Sequence, residues 1–541
     1  MKVVNKSVVF FVMMVLGACT HDKQFDTTGV IPPPPPPPAP SASPPVAMAA
    51  EISRLKSADP FVQQVLPGYR DTENYQKTEE NRIKRVAEEP VSTFSIDVDT
   101  ASYSNIRRMI LREGRLPPKD AVRVEEMINY FDYSYPQPDN QEQPFSVSTE
   151  VAPAPWDENL HLLRIGLKGF EPVRDSRPDA NLVFLVDVSG SMRSRDKLPL
   201  VKQSLQMLTQ QMRDTDRIAV VAYAGGAGVV LDSTAGDEKR SIRRAIKKLQ
   251  AGGSTHGSAG IKLAYEIAEE NLIDDGINRV IIASDGDMNV GITNIDQLIE
   301  LIENKRKSGI ALTTLGFGTG NYNDALMEQL ADAGNGNAAY IDNMKEARKV
   351  LITEMNSTLL TIASDVKIQI EFNPQHVAEY RLIGYENRVL QRDDFTNDKV
   401  DAGEIGAGHT VTALYEIALS DSDTSRVAPL RYGQNEEVSF SEQGNELAFV
   451  KLRYKRPGES SSIEFSRVVE RDTIVEEFNL ASEDFQFASS VAGFGEQLRG
   501  SRYGQFSNRE VLASLKRTLG QDEHGYRREL ISLVELAMDI R

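Results

Sequence analysis

One short loop of this chain combines a carboxylate with two hydroxyls at a spacing that suits a metal ion. Asp187, Ser189 and Ser191 alternate along the sequence directly after the apolar run 181–186. Side chains two residues apart on a tight loop can point at one ion, and carboxylate and hydroxyl oxygens are ligands for hard divalent cations. The loop therefore predicts part of a metal site.

Two other segments carry suitable oxygen ligands. The stretch 252–255 ends in Thr255 and opens a helical pattern, and Asp285 follows the buried run 279–283. Loops at the carboxyl ends of parallel strands share one edge of a sheet, so we expect these residues to converge with Asp187. We expect Mg²⁺ at this site, with Mn²⁺ or Ca²⁺ as alternatives, because these ions take oxygen ligands. Mg²⁺ also retains some of its water ligands, so Asp285 is expected to contact the ion through water. The predicted ligands are Asp187, Ser189, Ser191, Thr255 and Asp285.

Simpler explanations compete with this site. The five residues could be turn and cap residues only, and Thr255 could cap the helix that follows it. Asp287 is either a group behind the metal ligands or a solvated acid on the same loop. His256 is more typical of a rim residue than of a general base, and the glycines before His409 indicate a turn. Asp97 and Asp99 lie two apart on a predicted strand, which favours a solvated face over a partner contact.

The elements around the candidate ligands read as an α/β unit. Short apolar, β-branched runs alternate with helical periodicity between residues 184 and 360, which predicts a mostly parallel sheet covered by helices on both faces. A Gly-containing turn at 224–227 makes the third strand an antiparallel edge. The predicted strands are Leu182–Asp187, Arg217–Tyr223, Gly228–Ser233, Val280–Ser284, Ala311–Phe317 and Ala338–Ile341.

Segments on both sides of this unit alternate apolar and polar residues with a period of two, which is typical of half-exposed strands. Because they occur both before and after it, we predict a β-sandwich into which the α/β domain is inserted; two separate β pieces are the alternative. The predicted divisions are a signal peptide (1–19), a Pro-rich stalk (20–50), a polar linker (51–91), an α+β segment (92–140), sandwich strands (141–178), the α/β domain (179–362), further sandwich strands (363–478) and a helical C-terminal region (479–541).

The order Asp-x-Ser-x-Ser, Thr, Asp resembles the metal-ion-dependent adhesion site of von Willebrand factor type A domains. The resemblance covers residues 179–360 and implies a doubly wound α/β fold whose ion binds an acidic group of a partner. The wider chain resembles a family of bacterial lipoproteins of poorly defined function that contain such a domain. The stretches that carry this wider resemblance are Ser92–Tyr103, Leu116–Pro118, Glu125–Phe131 and Asp401–Thr410.

The first fifty residues predict export and anchoring. Lys2 and Lys6 precede an apolar stretch that is too short to span a bilayer, as in a signal peptide. Cys19, the only cysteine, ends a stretch that resembles a lipobox, which implies acylation there; an ordinary signal peptide that leaves a stray thiol is the alternative. With Thr20 after it, the resemblance implies the outer membrane, facing the periplasm. The prolines of 32–38 then predict an extended spacer.

Composition limits the functions to consider. The net charge of −18 argues against nucleic acid as a partner, and one cysteine leaves no thiolate zinc site. No pattern places a general base beside the predicted ion. We therefore expect a non-enzymatic envelope protein that binds an Asp- or Glu-bearing partner through the metal. A metal-dependent hydrolase is one alternative, and a scaffold whose ion only stabilises the fold is the other.

Overall fold

The structure is a computed structural model that describes residues 72–138, 142–171, 177–253, 257–287, 295–422, 424–428, 430 and 444–540. The predicted signal peptide, Cys19 and the Pro-rich stalk lie outside the described residues. So do two residues of the predicted site region, Thr255 and His256. Among the described helices, none combines the length and apolar character that a membrane crossing requires.

Strands and helices are numbered in chain order. The strands are β1 (Lys84–Arg85), β2 (Val91–Ser95), β3 (Phe145–Ala154), β4 (Asp157–Gly169), β5 (Ala180–Asp187), β6 (Arg217–Tyr223), β7 (Ala227–Ala235), β8 (Ile277–Ser284), β9 (Ala311–Phe317), β10 (Ala338–Ile341), β11 (Thr361–Phe372), β12 (Val377–Ile383), β13 (Val389–Leu390), β14 (Gly403–Gly406), β15 (Thr410–Leu419), β16 (Glu446–Lys455) and β17 (Ser462–Glu470). The helices are α1 (Ala101–Leu111), α2 (Val124–Asn129), α3 (Leu198–Gln211), α4 (Lys239–Lys248), α5 (Gly257–Glu270), α6 (Ile295–Arg306), α7 (Asp324–Ala333), α8 (Met344–Arg348), α9 (Met355–Leu359), α10 (Glu483–Arg499), α11 (Asn508–Arg517) and α12 (Tyr526–Ile540).

The central α/β unit has the predicted architecture. Its sheet has the order β10-β9-β8-β5-β6-β7, in which β7 alone is antiparallel to its neighbour. Every residue of β5 and β8 is buried, because separate apolar clusters cover the two faces of the sheet. A central strand that is covered on both faces has an almost continuous run of apolar residues. These runs are what identified β5 and β8 in the sequence.

The α/β unit interrupts a β-sandwich, as predicted. One sandwich sheet has the order β1-β12-β15-β4-β3 and the other β13-β2-β11-β16-β17, with β14 paired to β11. Strand β4 precedes the α/β unit in sequence and pairs with β15, which follows it, from Leu160 opposite Ala418 to Lys168 opposite Thr410. Apolar side chains of both sheets form one buried cluster. The two β pieces are therefore a single structure.

Two segments that the sequence predicted as a linker and as a turn contain residues that pair as β-strands. Residues 72–91, predicted as linker, belong to the folded body: Lys84 and Arg85 pair with β12, and Val86 is buried. Of the range 403–408, predicted as a turn, residues 403–406 form β14 against β11. Backbone hydrogen bonds do not depend on side-chain polarity, so polar or glycine-rich segments can join a sheet without showing an apolar pattern.

The N-terminal and C-terminal predicted regions are one packed unit. Side chains of α1, such as Tyr103 and Ile106, share a buried cluster with Phe487 of α10 and Leu533 of α12. The sequence predicted an α+β segment at 92–140 and a helical region at 479–541, and the described helices lie in both ranges. It could not show that helices at the two ends of the chain pack against each other.

Candidate metal centre

The candidate site is built around a carboxylate at the end of a buried strand. Asp187 is the last residue of β5 and is fully buried. Its Oδ1 accepts a hydrogen bond from the backbone N–H of Ser189 (2.8 Å), and its Oδ2 accepts from the Ser284 hydroxyl (3.0 Å) and the Tyr223 hydroxyl (3.2 Å). These donors come from β6, β8 and the loop after β5, so the sheet itself fixes the orientation of the carboxylate.

The two serine hydroxyls meet beside this carboxylate. Ser189 Oγ and Ser191 Oγ are 2.9 Å apart, in a loop that continues into a 3₁₀ turn at Gly190–Arg193. Ser189 is buried, whereas Ser191 is exposed. The loop thus leads from a buried carboxylate to the protein surface, which is the arrangement needed for an ion that a partner can reach.

Asp285 lies on the same edge but is held by protein donors. Its Oδ2 accepts from Lys197 Nζ (3.0 Å) and from Asn321 Nδ2 (3.1 Å), and its Oδ1 accepts from the backbone N–H of Asp287 (3.2 Å). Because both oxygens are engaged, Asp285 fits the predicted role of a ligand that acts through water. Asp287 contributes its backbone N–H to this arrangement.

The loop that leads to Thr255 approaches the site. Gly190 N–H donates to the Gly253 carbonyl (3.1 Å), and Gly252 N–H donates to the Val188 carbonyl (2.7 Å). Gly253 has a φ of +90°, a conformation that favours glycine. Thr255 itself is outside the described residues, so its predicted part in the site stays a prediction.

The electrostatics of the site favour a cation. Burial raises the pKa of Asp187 to about 6, and the nearby Asp285 charge adds to this effect, although the Ser189 N–H opposes it. An ionised Asp187 is therefore costly in the folded protein when no positive charge stands beside it. A carboxylate with two hydroxyls is also the oxygen set that Mg²⁺ accepts. The charge and the oxygen ligands of the site therefore both fit a hard divalent cation. Asp187, Ser189 and Ser191 would hold the cation directly, and Asp285 would contact it through a water molecule.

Sequence reasoning missed the residues that orient these groups. Tyr223 ends a strand that was correctly predicted, so its position at the site edge could have been inferred from the topology. Lys197 and Asn321 had no such signal, because each lies on a loop whose course depends on the tertiary structure.

A second group of acidic residues proves to be an ion-pair network. Carboxylate oxygens of Asp97, Asp99 and Glu328 lie within 4.8 Å of one another. All three residues are buried, which contradicts the predicted solvated face of Asp97 and Asp99. Arg388 contacts Asp97 (3.2 Å) and Asp99 (3.4 Å), and Arg123 contacts Glu328 (3.0 Å). These guanidinium groups supply the compensating charge, so the cluster needs no metal.

Comparison with protein families matches three parts of the chain. Residues 181–354 match the model of the von Willebrand factor type A domain, residues 69–164 match a model described as von Willebrand factor, and residues 357–540 match the C-terminal model of the uncharacterized protein YfbK. Type A domains mediate binding and adhesion, and they typically bind a divalent cation at a site of this kind. The type A match includes Asp187, Asp285 and every residue of the six-stranded sheet except Ala180.

Several individual proteins are similar to this chain over different shares of its length. The uncharacterized protein YfbK of Escherichia coli is 45% identical over 475 residues, which cover 86% of this chain and 81% of the relative. Inter-alpha-trypsin inhibitor heavy chain H3 of Bos taurus is 24% identical over 271 residues, 49% of this chain and 28% of the relative. A solved von Willebrand factor type A structure from Catenulispora acidiphila has a TM-score of 0.40 at 15% identity, covering 73% of this chain and 92% of that one.

Proposed function

Because this chain belongs to the family of the Escherichia coli protein YfbK and contains a von Willebrand factor type A domain, we propose that it is a non-enzymatic, lipid-anchored binding protein of the cell envelope. A divalent cation, Mg²⁺ in the first instance, is held by Asp187, Ser189, Ser191 and Thr255, with Asp285 acting through water. The cation binds a carboxylate of a partner protein or envelope component.

The main support for this proposal is the loop that runs from the buried Asp187 to the exposed Ser191. The carboxylate is fully buried and already oriented by three donors, while the second serine hydroxyl of the loop is exposed. Neutral hydroxyls do not cancel the charge of an ion, so a bound cation stays attractive to an external carboxylate. A buried anchor with an exposed rim supports capture of an acidic group.

Site-directed photo-crosslinking in cells tests the binding role. A photoreactive residue at the exposed position Arg195, four residues after Ser191, is expected to give partner adducts in the wild-type protein. These adducts should disappear in the Asp187→Asn variant, while adducts from a photoreactive residue at the exposed Lys516 stay unchanged. Adducts at position 195 that survive the Asp187→Asn change would instead favour a scaffold role, and metal-dependent turnover of an envelope polymer would favour a hydrolase.

Anchoring is proposed at Cys19, with the outer membrane facing the periplasm as the location because Thr20 follows the cysteine. We expect a Cys19→Ala variant to lose incorporation of labelled palmitate and to leave the membrane fraction, since a buried acyl chain contributes about 0.8 kcal/mol per methylene. Sucrose-gradient fractionation of the wild-type protein then reports the membrane. Equal palmitate labelling of the variant would exclude this anchor.

A further inference from the structure

One oxygen of Asp285 is held by two side chains from different loops. Lys197 Nζ lies 3.0 Å and Asn321 Nδ2 lies 3.1 Å from Asp285 Oδ2, and Lys197 Nζ also donates to Asn321 Oδ1 (2.6 Å). Lys197 and Asp285 are both buried. The three groups form a closed set of contacts, so the position of Asp285 depends on the loop that carries Asn321.

That loop, Gly318–Asn323, connects β9 to α7 and packs closely on both of its neighbours at the site. Gly318 has a φ of +82°, and a Cβ placed there would lie 2.2 Å from Lys197 Cγ. A Cβ on Gly286, in the loop after Asp285, would lie 2.8 Å from the Asn323 backbone nitrogen. The backbone at these two glycines therefore lies so close to its neighbours that a shift of the 318–323 loop towards them must displace Lys197 or the Asp285 loop.

The 318–323 loop is held in place by Thr72–Asn74, here called the entry segment, where the described body begins. Thr72 N–H donates to the Gly320 carbonyl (2.9 Å), and Asn74 N–H donates to the Tyr322 carbonyl (2.9 Å). These two backbone hydrogen bonds lie on either side of Asn321 in the sequence. The entry segment thus fixes the backbone on both sides of the residue that contacts Asp285.

Glu73 secures the entry segment from within. Its side chain is 3% exposed; Oε1 accepts from the Gly320 N–H (2.8 Å), and Oε2 accepts from Arg108 Nη2 of α1 (2.8 Å). The Arg108 guanidinium also lies over the Tyr340 ring, 5.4 Å from its centroid. One buried carboxylate therefore joins the entry segment, α1 and the 318–323 loop.

We propose that Glu73 and Asn321 are positioning residues of the metal site, and that the entry segment sets the affinity of the site for its cation. The proposal rests on the proposed function, because it presumes that the site binds a cation. Removal of the Glu73 carboxylate takes away its hydrogen bond from the Gly320 N–H and its link to Arg108, so the loop that carries Asn321 holds Asp285 less firmly in one orientation.

The test measures the Mg²⁺ dissociation constant of the full chain, purified in detergent, by isothermal titration. Glu73→Ala and Asn321→Ala are each expected to weaken Mg²⁺ binding about 10-fold, the range typical of groups that orient metal ligands. Glu113→Ala is the matched control: Glu113 pairs with the same Arg108 but has no contact with the 318–323 loop among the bonds described. It should leave the dissociation constant unchanged.

The outcomes separate this inference from the proposed function. If the wild-type chain binds no Mg²⁺, the proposed function fails and the positioning role fails with it. If the wild-type chain binds Mg²⁺, Asp187→Asn abolishes binding and both Glu73→Ala and Asn321→Ala bind as the wild type does, the positioning role is wrong and the metal site stands. Should circular dichroism show that Glu73→Ala is unfolded, Asn321→Ala alone decides, because its side chain is only partly buried.

Discussion

Replacement of Asp187 by Asn is expected to abolish the stabilisation of this protein by Mg²⁺. A ligand that binds only the folded state adds about 2.7 kcal/mol to the free energy of unfolding at 100 times its dissociation constant. The amide removes the negative charge that the cation needs but keeps the size of the side chain, and the hydroxyls of Tyr223 and Ser284 can reorient towards it. Urea unfolding with Mg²⁺ and with a chelator measures the difference.

The same substitution should stabilise the metal-free protein. Burial raises the pKa of Asp187 to about 6, from 3.8 for an aspartate in water. A carboxyl group with a raised folded-state pKa destabilises the folded state when it is ionised, at most about 3 kcal/mol for a rise of this size. The penalty is fully present above pH 6 and declines as the pH falls through 6 towards 4. In chelator, Asp187→Asn should therefore exceed the wild type in stability at pH 7.5 by more than at pH 5.

The Asp232→Asn variant is the control for the general effect of removing one negative charge from the protein. Asp232 lies exposed on β7 of the same sheet, and Asp232→Asn should leave both the Mg²⁺ effect and the metal-free stability unchanged. If Asp187→Asn gains as much stability from Mg²⁺ as the wild type does, the cation binds elsewhere and the assignment of the site is wrong.

Replacement of Arg107 by Met should be among the most destabilising single changes in the body. Arg107 is 1% exposed and lies on α1. It contacts Asp342 (Nε to Oδ2, 3.1 Å) and Glu346 (Nη2 to Oε2, 2.8 Å) at the end of the α/β unit, Glu529 of α12 (Nη1 to Oε1, 3.0 Å) and the Tyr130 hydroxyl (2.9 Å). One guanidinium thus connects the N-terminal, α/β and C-terminal parts.

Loss of that guanidinium leaves buried carboxylates without their counter-charge. Breaking one partner of a buried ion pair typically costs about 3 to 5 kcal/mol, and Asp342 and Glu346 are both nearly inaccessible to water. The urea unfolding midpoint of Arg107→Met should fall accordingly, with faster proteolysis of α12. Arg112→Met, at an exposed position directly after the same helix, should change neither the midpoint nor the proteolysis rate. An equal effect of the two substitutions would mean that the network contributes no more than a surface charge.

The predictable part of the fold was the part whose side chains follow a regular period. Strands β5 and β8 were found because both faces are covered by apolar clusters, and the sandwich insertion followed from alternating segments on both sides of the α/β unit. Strand β12 lacks a regular apolar pattern in the sequence because buried charged residues interrupt it: Glu379 and Arg381 are 0% and 1% exposed. A hydropathy pattern reads such residues as surface, although ion pairs with Arg426 and Glu496 compensate their charges.

The amino-acid sequence by itself determined which groups can bind a cation here, because ligand chemistry is a property of residue types and because strand ends of one parallel sheet must meet at one edge. Tertiary structure alone decided how those groups are held. Lys197 lies 88 residues from Asp285, and Glu73 lies 247 residues from Gly320, so neither contact has a period or a local spacing that sequence could reveal. Such contacts form only after packing has brought distant loops together, and they determine whether Asp285 is free to move or fixed beside the site.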